Sequence, residues 1–246
     1  MSKIEPLWKR LVVEGWAEDK DHALEMIARG EIEVSGQPCT NPRTSIKAET
    51  SVRLSRPQPW ASRGAYKLLT ALQHFNLSPQ GEICLDVGAS TGGFTDVLLH
   101  YGAKVVYALD VGYGQLISRL AMDPRVLVYD RTNARTLGEH SFEEKPAFVV
   151  SDASFISLVS LMPALHLCSS HRARFLLLIK PQFELPAELV PEGGVVRDEG
   201  LHLQACNSVT QKASDLGWRT IGIVPSHLKG TKGNQEYLAC FEKVTV

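Results

Sequence analysis

From residue 63 onward, short apolar runs alternate with helical segments, and this alternation most constrains what the chain can fold into. The first run follows a helix predicted over residues 63–75. The runs are 83–87, 104–109, 126–129, 147–151, 174–179, 219–224 and 237–241. Short apolar runs suit buried strands, and strands that alternate with helices build doubly wound α/β sheets. The sequence therefore predicts an α/β domain with seven strands.

The first 56 residues follow a different plan, with two helices ahead of short strands. Gly15 and Gly30 close the predicted helices, and Pro57 and Pro59 disfavour a helix in the segment after the last strand. The predicted helices and strands are 7–14, 19–29, 31–34 and 51–54. We therefore predict a small α+β domain over residues 1–57, a linker over 58–62 and the α/β domain over 63–246.

Composition and cysteine spacing argue against several classes of protein. The 246 residues are 44% hydrophobic and 22% charged, and no apolar run approaches the ~20 residues that cross a bilayer. Lys3, Glu5, Lys9 and Arg10 interrupt the N-terminus, which lacks the apolar core of a signal peptide. The five cysteines are scattered without CxxC spacing. We expect a cytoplasmic protein with reduced thiols and no metal site.

Positive charge is concentrated in one tract, although the net charge of the chain is only −1. Residues 50–81 contain no Asp or Glu, and they include Arg53, Arg56, Arg63 and Lys67. Such a tract is either a contact surface for a polyanion or a solvated linker. Charge alone does not choose between these two interpretations.

A glycine-rich turn joins the first predicted strand of the α/β domain to the following helix. Small residues in such a turn let the backbone approach a ligand at the helix N-terminus. The candidate cofactor-binding residues here are Asp86, Gly88, Ser90, Thr91, Gly92, Gly93 and Phe94. Ser90 stands where the dinucleotide-binding pattern has its middle glycine, which weakens a nicotinamide interpretation. A turn shaped only by packing remains the alternative.

Three polar residues after the next two strands extend this candidate cofactor site. Asp110 ends the second strand, where a carboxylate can bind the ribose hydroxyls of an adenosine cofactor. Asp130 and Asn133 follow the third strand and are candidates for contacts with the adenine or methionine portion. For all three residues, a capping or turn-forming role is the alternative.

Several residues of the N-terminal segment match a known RNA-binding pattern. They are Arg10, Leu11, Val12, Gly15, Ala23, Ile27, Gly30, Ile32, Val34 and Gly36. With them the segment resembles the S-four RNA-binding domain, although residues 19–21 replace the Ser-Arg that usually opens its second helix. The resemblance implies an RNA-binding face, although the segment balances nine basic against nine acidic residues. The candidates for this face and the tract beyond it are Lys9, Arg10, Lys20, Arg53, Arg56 and Arg63.

Six blocks of sequence, spread over nearly the whole chain, occur in a fixed order. They are 62–68, 88–95, 152–157, 179–184, 194–198 and 233–237. Together they resemble the haemolysin A (TlyA-type) family, which joins an S-four domain to an FtsJ-like ribose 2′-O-methyltransferase domain. The resemblance implies a Rossmann-like fold with S-adenosylmethionine as cofactor. It also implies a catalytic tetrad at Lys67, Asp152, Lys180 and Glu236.

The chemistry of ribose methylation explains the use of such a tetrad. A 2′-hydroxyl is a poor nucleophile at neutral pH, so its proton must be removed or its oxygen aimed at the sulfonium methyl. Lys180 is our candidate for that role, with Asp152 and Glu236 holding Lys180 and Lys67 in place. Because these carboxylates also favour a charged lysine, both proton removal and positioning stay open. Taken singly, each residue also suits a salt bridge at a strand end.

Two absences favour an oxygen atom as the methyl acceptor. Residues 152–155 lack the Pro-Pro-aromatic pattern of exocyclic-amine methyltransferases, and no cysteine of the α/β domain lies in a strand-end loop as a nucleophile. The family resemblance implies cytidine ribose in ribosomal RNA, and the chain length resembles that of members restricted to the large subunit. The alternatives are a membrane-active cytolysin, a nicotinamide-dependent dehydrogenase and a non-catalytic RNA-binding module.

Overall fold

The computed structural model describes residues 4–14, 16–17, 19–28, 30–55, 60–230 and 232–244. The chain divides into two compact units, Met1–Pro59 and Trp60–Val246. Gly15, Arg29 and Arg56, and residues 57–59 at the predicted junction of the N-terminal domain with the linker, lie outside the described residues. The predicted end of the N-terminal domain and the predicted start of the linker therefore stay predictions.

The first unit combines two short helices with two small sheets. Its elements are β1 (Ile4–Pro6), α1 (Leu7–Val13), α2 (Lys20–Ala28), β2 (Ile32–Val34), β3 (Gln37–Cys39), β4 (Ser45–Lys47) and β5 (Val52–Leu54). β2 pairs antiparallel with β3 and β5, and β1 pairs antiparallel with β4. Leu7, Leu11, Ile27 and Ile32 form a fully buried core between these elements. β1, β3 and β4 were not predicted, and a proline in both β1 and β3 weakens the strand signal of those two segments.

A seven-stranded sheet forms the centre of the second unit. Its strands are β6 (Ile83–Val87), β7 (Val105–Leu109), β8 (Val126–Tyr129), β9 (Phe148–Ser151), β10 (Arg174–Ile179), β11 (Trp218–Pro225) and β12 (Tyr237–Lys243). The order across the sheet is β11-β12-β10-β9-β6-β7-β8. β12 is antiparallel to both of its neighbours, and the other pairs are parallel. The predicted α/β fold with seven strands is confirmed.

Helices cover both faces of this sheet. They are α3 (Gly64–His74), α4 (Gly93–His100), α5 (Ser118–Ala121), α6 (Leu158–Cys168), α7 (Pro181–Glu184) and α8 (Glu199–Asp215). Successive residues of a strand point to opposite faces, so Val149 of β9 belongs to the buried cluster that includes Leu161 of α6, while Val150 belongs to the cluster that includes Leu68 of α3. Among the described residues, no helix has both the length and the apolar character needed to cross a membrane.

Three residues of the predicted linker, Trp60, Ala61 and Ser62, belong to the second unit instead. Trp60 and Ala61 pack against the core that α3 and α4 share, and the ring of Trp60 meets that of His100 edge-on at a centroid distance of 5.2 Å. The main-chain N–H of Ala61 donates to Asp96 Oδ2 at 2.8 Å. Burying a large aromatic side chain stabilises this packing, so the connector ends before Trp60.

Candidate active site

The carboxyl ends of the parallel strands lie along one edge of the sheet, where open α/β sheets bind their ligands. β12 runs the opposite way, and its first residue, Tyr237, pairs with Ile179, the last residue of β10. Glu236 directly precedes β12 and Lys180 directly follows β10, so the pairing of these two strands brings both residues to the same edge of the sheet. Residues from distant parts of the sequence meet at this edge.

The turn after β6 adopts left-handed backbone conformations, with φ of +83° at Gly88, +48° at Ser90 and +103° at Gly92. A Cβ on Gly88 would lie 3.0 Å from the Cα of Ala153, so only glycine fits there. Ser90 adopts a conformation that glycine reaches more easily. Its main-chain N–H donates to Asp110 Oδ2 at 2.9 Å, which helps to hold it there. The folded turn therefore accommodates Ser90 at the position where the dinucleotide-binding pattern has its middle glycine.

The remaining residues of the turn differ in exposure. Thr91 is half-buried beside the exposed Ser90, whereas Gly92 and Gly93 are buried where α4 begins. Phe94 is buried in the core that α3 and α4 share. The burial of this aromatic side chain gives it a supporting role beneath the turn, and its contact with a cofactor stays a prediction.

Asp86 also differs from its predicted role. Its side chain is fully buried and accepts a hydrogen bond from Thr95 Oγ1 at 2.7 Å. Burial raises the pKa of Asp86 to about 7, against the opposing effect of the hydrogen bonds from Thr95. Asp86 therefore supports the turn from beneath and presents no surface to a ligand.

Asp110 lies at the end of β7, where its carboxylate meets two main-chain donors. Oδ2 accepts from Ser90 N at 2.9 Å and Oδ1 accepts from Gly112 N at 2.7 Å. A carboxylate has about four acceptor sites, so this half-buried group can still accept hydrogen bonds from ribose hydroxyls. The geometry fits the predicted ribose contact.

Asp130 and Asn133 have local partners after β8. Asp130 Oδ2 accepts from Gly114 N at 3.0 Å, which links this residue to the segment after Asp110. Asn133 caps the short 3-10 helix Ala134–Thr136, because its Oδ1 accepts from Arg135 N at 3.1 Å. Asn133 thus makes the capping contact that the sequence predicts as the alternative to cofactor binding.

Glu236, Lys67, Asp152 and Lys180 form one continuous chain of ion pairs. Lys67 Nζ lies 2.8 Å from Glu236 Oε2 and 3.3 Å from Asp152 Oδ2. Asp152 Oδ1 lies 2.7 Å from Lys180 Nζ, so the Asp152 carboxylate bridges the two lysines. Lys67 comes from α3, and the other three residues border β9, β10 and β12. The fold brings all four residues of the tetrad together.

Three members of this network are buried, with exposed fractions of 8% for Lys67, 6% for Lys180 and 2% for Glu236, while the side chain of Asp152 is 21% exposed. Burial opposes the charged form of Lys67, but the attraction of Asp152 and Glu236 outweighs it and raises the pKa of Lys67. Burial also opposes the charged form of Asp152, but Lys180 and Lys67 hold the pKa of Asp152 below its usual value. Lys67 and Asp152 therefore stay charged through the neutral range.

Two residues absent from the predicted site lie in the segments that carry the tetrad, and one of them contacts Lys180. Lys180 Nζ donates to Ser154 Oγ at 2.7 Å and to the main-chain O of Asp152 at 3.2 Å. Glu184 accepts from Ser157 Oγ at 2.6 Å and from the main-chain N–H of Leu158 at 2.7 Å. Ser154 and Glu184 lie inside the blocks 152–157 and 179–184, and their place in those blocks is the only signal that the sequence contains.

The loop before β12 is fixed around Glu236. Asn234 Oδ1 accepts from Val196 N at 2.9 Å, and its Nδ2 donates to the Gly194 main-chain O at 2.8 Å. Gly230 lies against the carboxylate, since a Cβ there would collide with Glu236 Oε1. The blocks 194–198 and 233–237 are therefore partners in one structural arrangement.

The residues predicted to contact RNA in the first unit differ in their exposure and in their partners within the unit. Lys9 and Arg53 are exposed. Arg10 is engaged within the unit, because its guanidinium lies 2.9 Å from Glu5 Oε1 and donates to the main-chain O of Lys47 at 3.3 Å. An arginine with these partners contributes to the fold of the unit and has fewer donors left for RNA.

Three further candidates for RNA contact are Lys20, Arg63 and Arg56. Lys20 Nζ lies 5.3 Å from the centroid of the Trp8 ring, in a cation–π contact. Arg63 is half-buried directly before α3. Arg56 lies outside the described residues. Their contact with RNA stays a prediction.

The sheet separates two classes of nucleotide-binding enzyme. A dinucleotide-binding sheet has the strand order 3-2-1-4-5-6, whereas here β12 lies antiparallel between β10 and β11. The left-handed turn brings the backbone close to the edge of the sheet, and Ser90, Thr91 and Asp110 offer polar groups suited to an adenosine and an amino-acid portion. The protein is an S-adenosylmethionine-dependent methyltransferase, and the dehydrogenase alternative fails.

Comparisons with known proteins identify the family of methyltransferases to which this chain belongs. Residues 60–243 match the family model of the FtsJ-like methyltransferases. The chain is 44% identical over 229 residues to the 16S/23S rRNA (cytidine-2′-O)-methyltransferase TlyA of Mycobacterium tuberculosis, covering 92% of this chain and 85% of the relative. It is 39% identical over 229 residues to Hemolysin A of Brachyspira hyodysenteriae, covering 93% and 95%. The chain belongs to the FtsJ-like methyltransferase family, in its TlyA (haemolysin A) group.

A solved structure supports the same relationship. A protein of Streptococcus thermophilus with a provisional hemolysin name superposes with a TM-score of 0.82 at 36% identity. The match covers 99% of this chain and 90% of that one. The shared architecture therefore extends over both units of the chain.

Proposed function

We propose that this enzyme methylates the ribose 2′-oxygen of a cytidine in ribosomal RNA. The observation that carries the proposal is the unbroken ion-pair chain from Glu236 through Lys67 and Asp152 to Lys180, with each contact between 2.7 and 3.3 Å. A hydroxyl acceptor must lose its proton when its oxygen is methylated, so it requires such a group, whereas an unprotonated ring nitrogen of a base has no proton to lose. The name of the M. tuberculosis relative supports cytidine and ribosomal RNA as the target.

The chain's own residues divide the work. Residues 88–92 and Asp110 bind S-adenosylmethionine, which supplies an electrophilic methyl group when it is bound. Lys180 contacts the target hydroxyl and aims its oxygen, either by taking its proton or by holding it with a positive charge. Asp152 holds Lys180, Lys67 holds Asp152, and Glu236 holds Lys67. The low exposure of these groups strengthens their electrostatic effect on the reacting oxygen.

The first unit contributes RNA affinity in this proposal. Lys9 and Arg53 present positive charge at its surface, and phosphate contacts of this kind weaken as the salt concentration rises. Two modest RNA surfaces on one chain reinforce each other by raising the effective concentration of the second. The enzyme acts in the cytoplasm, where ribosomal subunits are its partners.

The test uses tritiated S-adenosylmethionine with purified large and small ribosomal subunits in separate reactions. A methyl group on the 2′-oxygen blocks alkaline cleavage of the adjacent phosphodiester, so alkaline mapping locates the modified ribose. We expect transfer to cytidine, with the large subunit as the preferred substrate. A methyl group on a base, or no transfer to either subunit, would overturn the proposal. Transfer to both subunits would correct only the expected subunit preference.

A further inference from the structure

The turn between β9 and α6 contacts Lys180 through a side chain that does not belong to the tetrad. Ser154 Oγ accepts a hydrogen bond from Lys180 Nζ at 2.7 Å. This is as short as the ion pair between Lys180 Nζ and Asp152 Oδ1, also 2.7 Å. A serine hydroxyl has lone pairs in defined directions, so it fixes the orientation of the ammonium as well as its distance.

A lysine at this position needs more than one contact to hold its nitrogen in place. The side chain has four rotatable carbon–carbon bonds and about 2 kcal/mol of rotamer entropy. The ion pair with Asp152 restrains the distance, and the hydrogen bonds to Ser154 Oγ and to the Asp152 main-chain O restrain the direction. Removal of the Ser154 hydroxyl leaves only one of these two hydrogen bonds.

Ser154 is itself held by the shape of the turn. Phe155, the next residue, has a φ of +62°, an uncommon conformation for a large side chain. Two residues further on, Ser157 Oγ donates to Glu184 Oε2 at 2.6 Å, and Leu158 N donates to Glu184 Oε1 at 2.7 Å. Such bonds can offset the cost of the unusual backbone.

Glu184 also connects this turn to the segment that carries Lys180. It ends α7, the short helix that starts directly after Lys180. The two segments are therefore joined twice, once by Lys180 with Asp152 and Ser154, and once by Glu184 with Ser157 and Leu158. Glu184 also caps the first turn of α6, where orphan N–H groups favour a carboxylate.

We propose that Ser154 is a positioning residue for Lys180 in methyl transfer, and that Glu184 holds the turn that presents Ser154. This inference rests on the proposed function, because it takes Lys180 as the group that meets the target hydroxyl. A misplacement of about 1 Å in such a group can cost on the order of 100-fold in rate. Neither residue touches the substrate in this assignment.

The first experiment compares Ser154→Ala, Ser154→Thr and wild type in single-turnover and steady-state methylation of ribosomal subunits. We expect Ser154→Ala to lower kcat about 10- to 100-fold with KM for the subunit and the affinity for S-adenosylmethionine within about twofold of wild type. Ser154→Thr restores a hydroxyl and should recover most of kcat. Glu184→Gln keeps the shape but removes one strong acceptor, and it should lower kcat by a smaller factor.

Ser160→Ala is the matched control. Ser160 is exposed, and its Oγ donates to the Ser157 main-chain O at 2.7 Å in the first turn of α6. Among the described residues, Lys180 Nζ pairs with Asp152 and Ser154 and not with Ser160. Loss of the Ser160 hydroxyl should leave kcat unchanged. Equal losses in Ser154→Ala and Ser160→Ala, or a Ser154→Ala enzyme as fast as wild type, would overturn the inference. Absence of methyl transfer by wild type would instead overturn the proposed function.

A second measurement needs no catalysis. Acylation of Lys180 by an amine-directed reagent, followed by peptide mass spectrometry, reports how firmly its nitrogen is held in the free protein. Labelling of Lys180 relative to the exposed Lys104 should rise several-fold in Ser154→Ala and return towards the wild-type ratio in Ser154→Thr. An unchanged ratio in Ser154→Ala means that the hydroxyl does not hold Lys180, and it contradicts the inference.

Discussion

The cofactor turn and the tetrad lie along the same edge of one sheet, but they are built in opposite ways. The turn, residues 88–92, is one continuous segment whose left-handed backbone meets the Asp110 carboxylate through a main-chain N–H. The tetrad is made of four charged side chains that come from separate segments. A site made of backbone depends on shape, whereas a site made of ion pairs depends on charge. Changes in the turn should therefore affect cofactor binding, and changes in the tetrad should affect the rate of transfer.

The largest effect expected from this contrast is at Lys180. Lys180→Ala removes the group that meets the hydroxyl and leaves the turn intact, so methyl transfer should fall by two to four orders of magnitude, on the order of 100- to 10,000-fold. Affinity for S-adenosylmethionine, measured by calorimetry, should stay within about twofold of wild type. A comparable loss of cofactor affinity would show that the two regions are not separate.

Lys180→Arg then separates the two roles of the lysine. Arginine keeps the positive charge but does not lose its proton near neutral pH. Tritium transfer by this variant should stay near the level of Lys180→Ala if proton removal is required. Substantial recovery would show that the charge alone aims the oxygen.

Gly88 tests the place where the two regions meet. Gly88→Ala puts a Cβ 3.0 Å from the Cα of Ala153, next to Asp152, in a backbone conformation with φ of +83°. We expect S-adenosylmethionine affinity to fall at least about tenfold, with a smaller loss of kcat. Gly81→Ala is the control, because its φ is +75° but its Cβ would have no neighbour within 4 Å. Equal binding by both variants would remove close approach as the reason for glycine at 88.

Asp110 should give an intermediate effect that is confined to the cofactor. Asp110→Ala removes the acceptor for Ser90 N and Gly112 N and the predicted ribose contact, so affinity should fall about tenfold or more. Single-turnover transfer at saturating S-adenosylmethionine should stay within a few-fold of wild type. A wild-type dissociation constant in calorimetry would exclude Asp110 from the cofactor site.

The two regions should also differ in their response to pH. The pKa of Asp86 is raised to about 7 in the folded protein, against about 3.9 in an unfolded chain. The folded state therefore binds the extra proton, and the associated stability is fully present below pH ~4 and is lost as the pH rises through 7. The lowered pKa of Asp152 and the raised pKa of Lys67 put their losses outside this window, at acid and alkaline pH respectively.

Asp86→Asn provides the measurement, which is the free energy of unfolding in denaturant at several pH values. The free energy of unfolding of wild type should fall between about pH 5 and 8. In Asp86→Asn this fall should be smaller by roughly 1–3 kcal/mol. Asp123→Asn is the control, because hydrogen bonds from Arg125 hold the pKa of Asp123 below its usual value. An unchanged slope in Asp86→Asn would mean that Asp86 stays ionised in the folded protein.

Much of the fold could be read from local patterns. All seven strands of the sheet and the turn after β6 follow from apolar runs and small residues that lie within a few positions of each other. Asp110 could be assigned to the turn because it ends the strand beside β6, and neighbouring parallel strands end at the same edge. The tetrad residues were identified by family resemblance, because their spacing in the sequence carries no geometric meaning.

Tertiary structure decided the rest, because burial and partner choice depend on groups far apart in the sequence. Asp86 in β6 and Phe94 in α4 flank the glycine-rich turn that contains Ser90, yet only the packing of α4 shows that they are buried beneath it. The sequence by itself determined the strands, the turn and the types of charge available. The antiparallel insertion of β12 beside β10 determined that Glu236 reaches Lys67, and the pairing of β9 with β10 determined that Asp152 reaches Lys180. Strand order is a property of the whole sheet, and no local pattern encodes it.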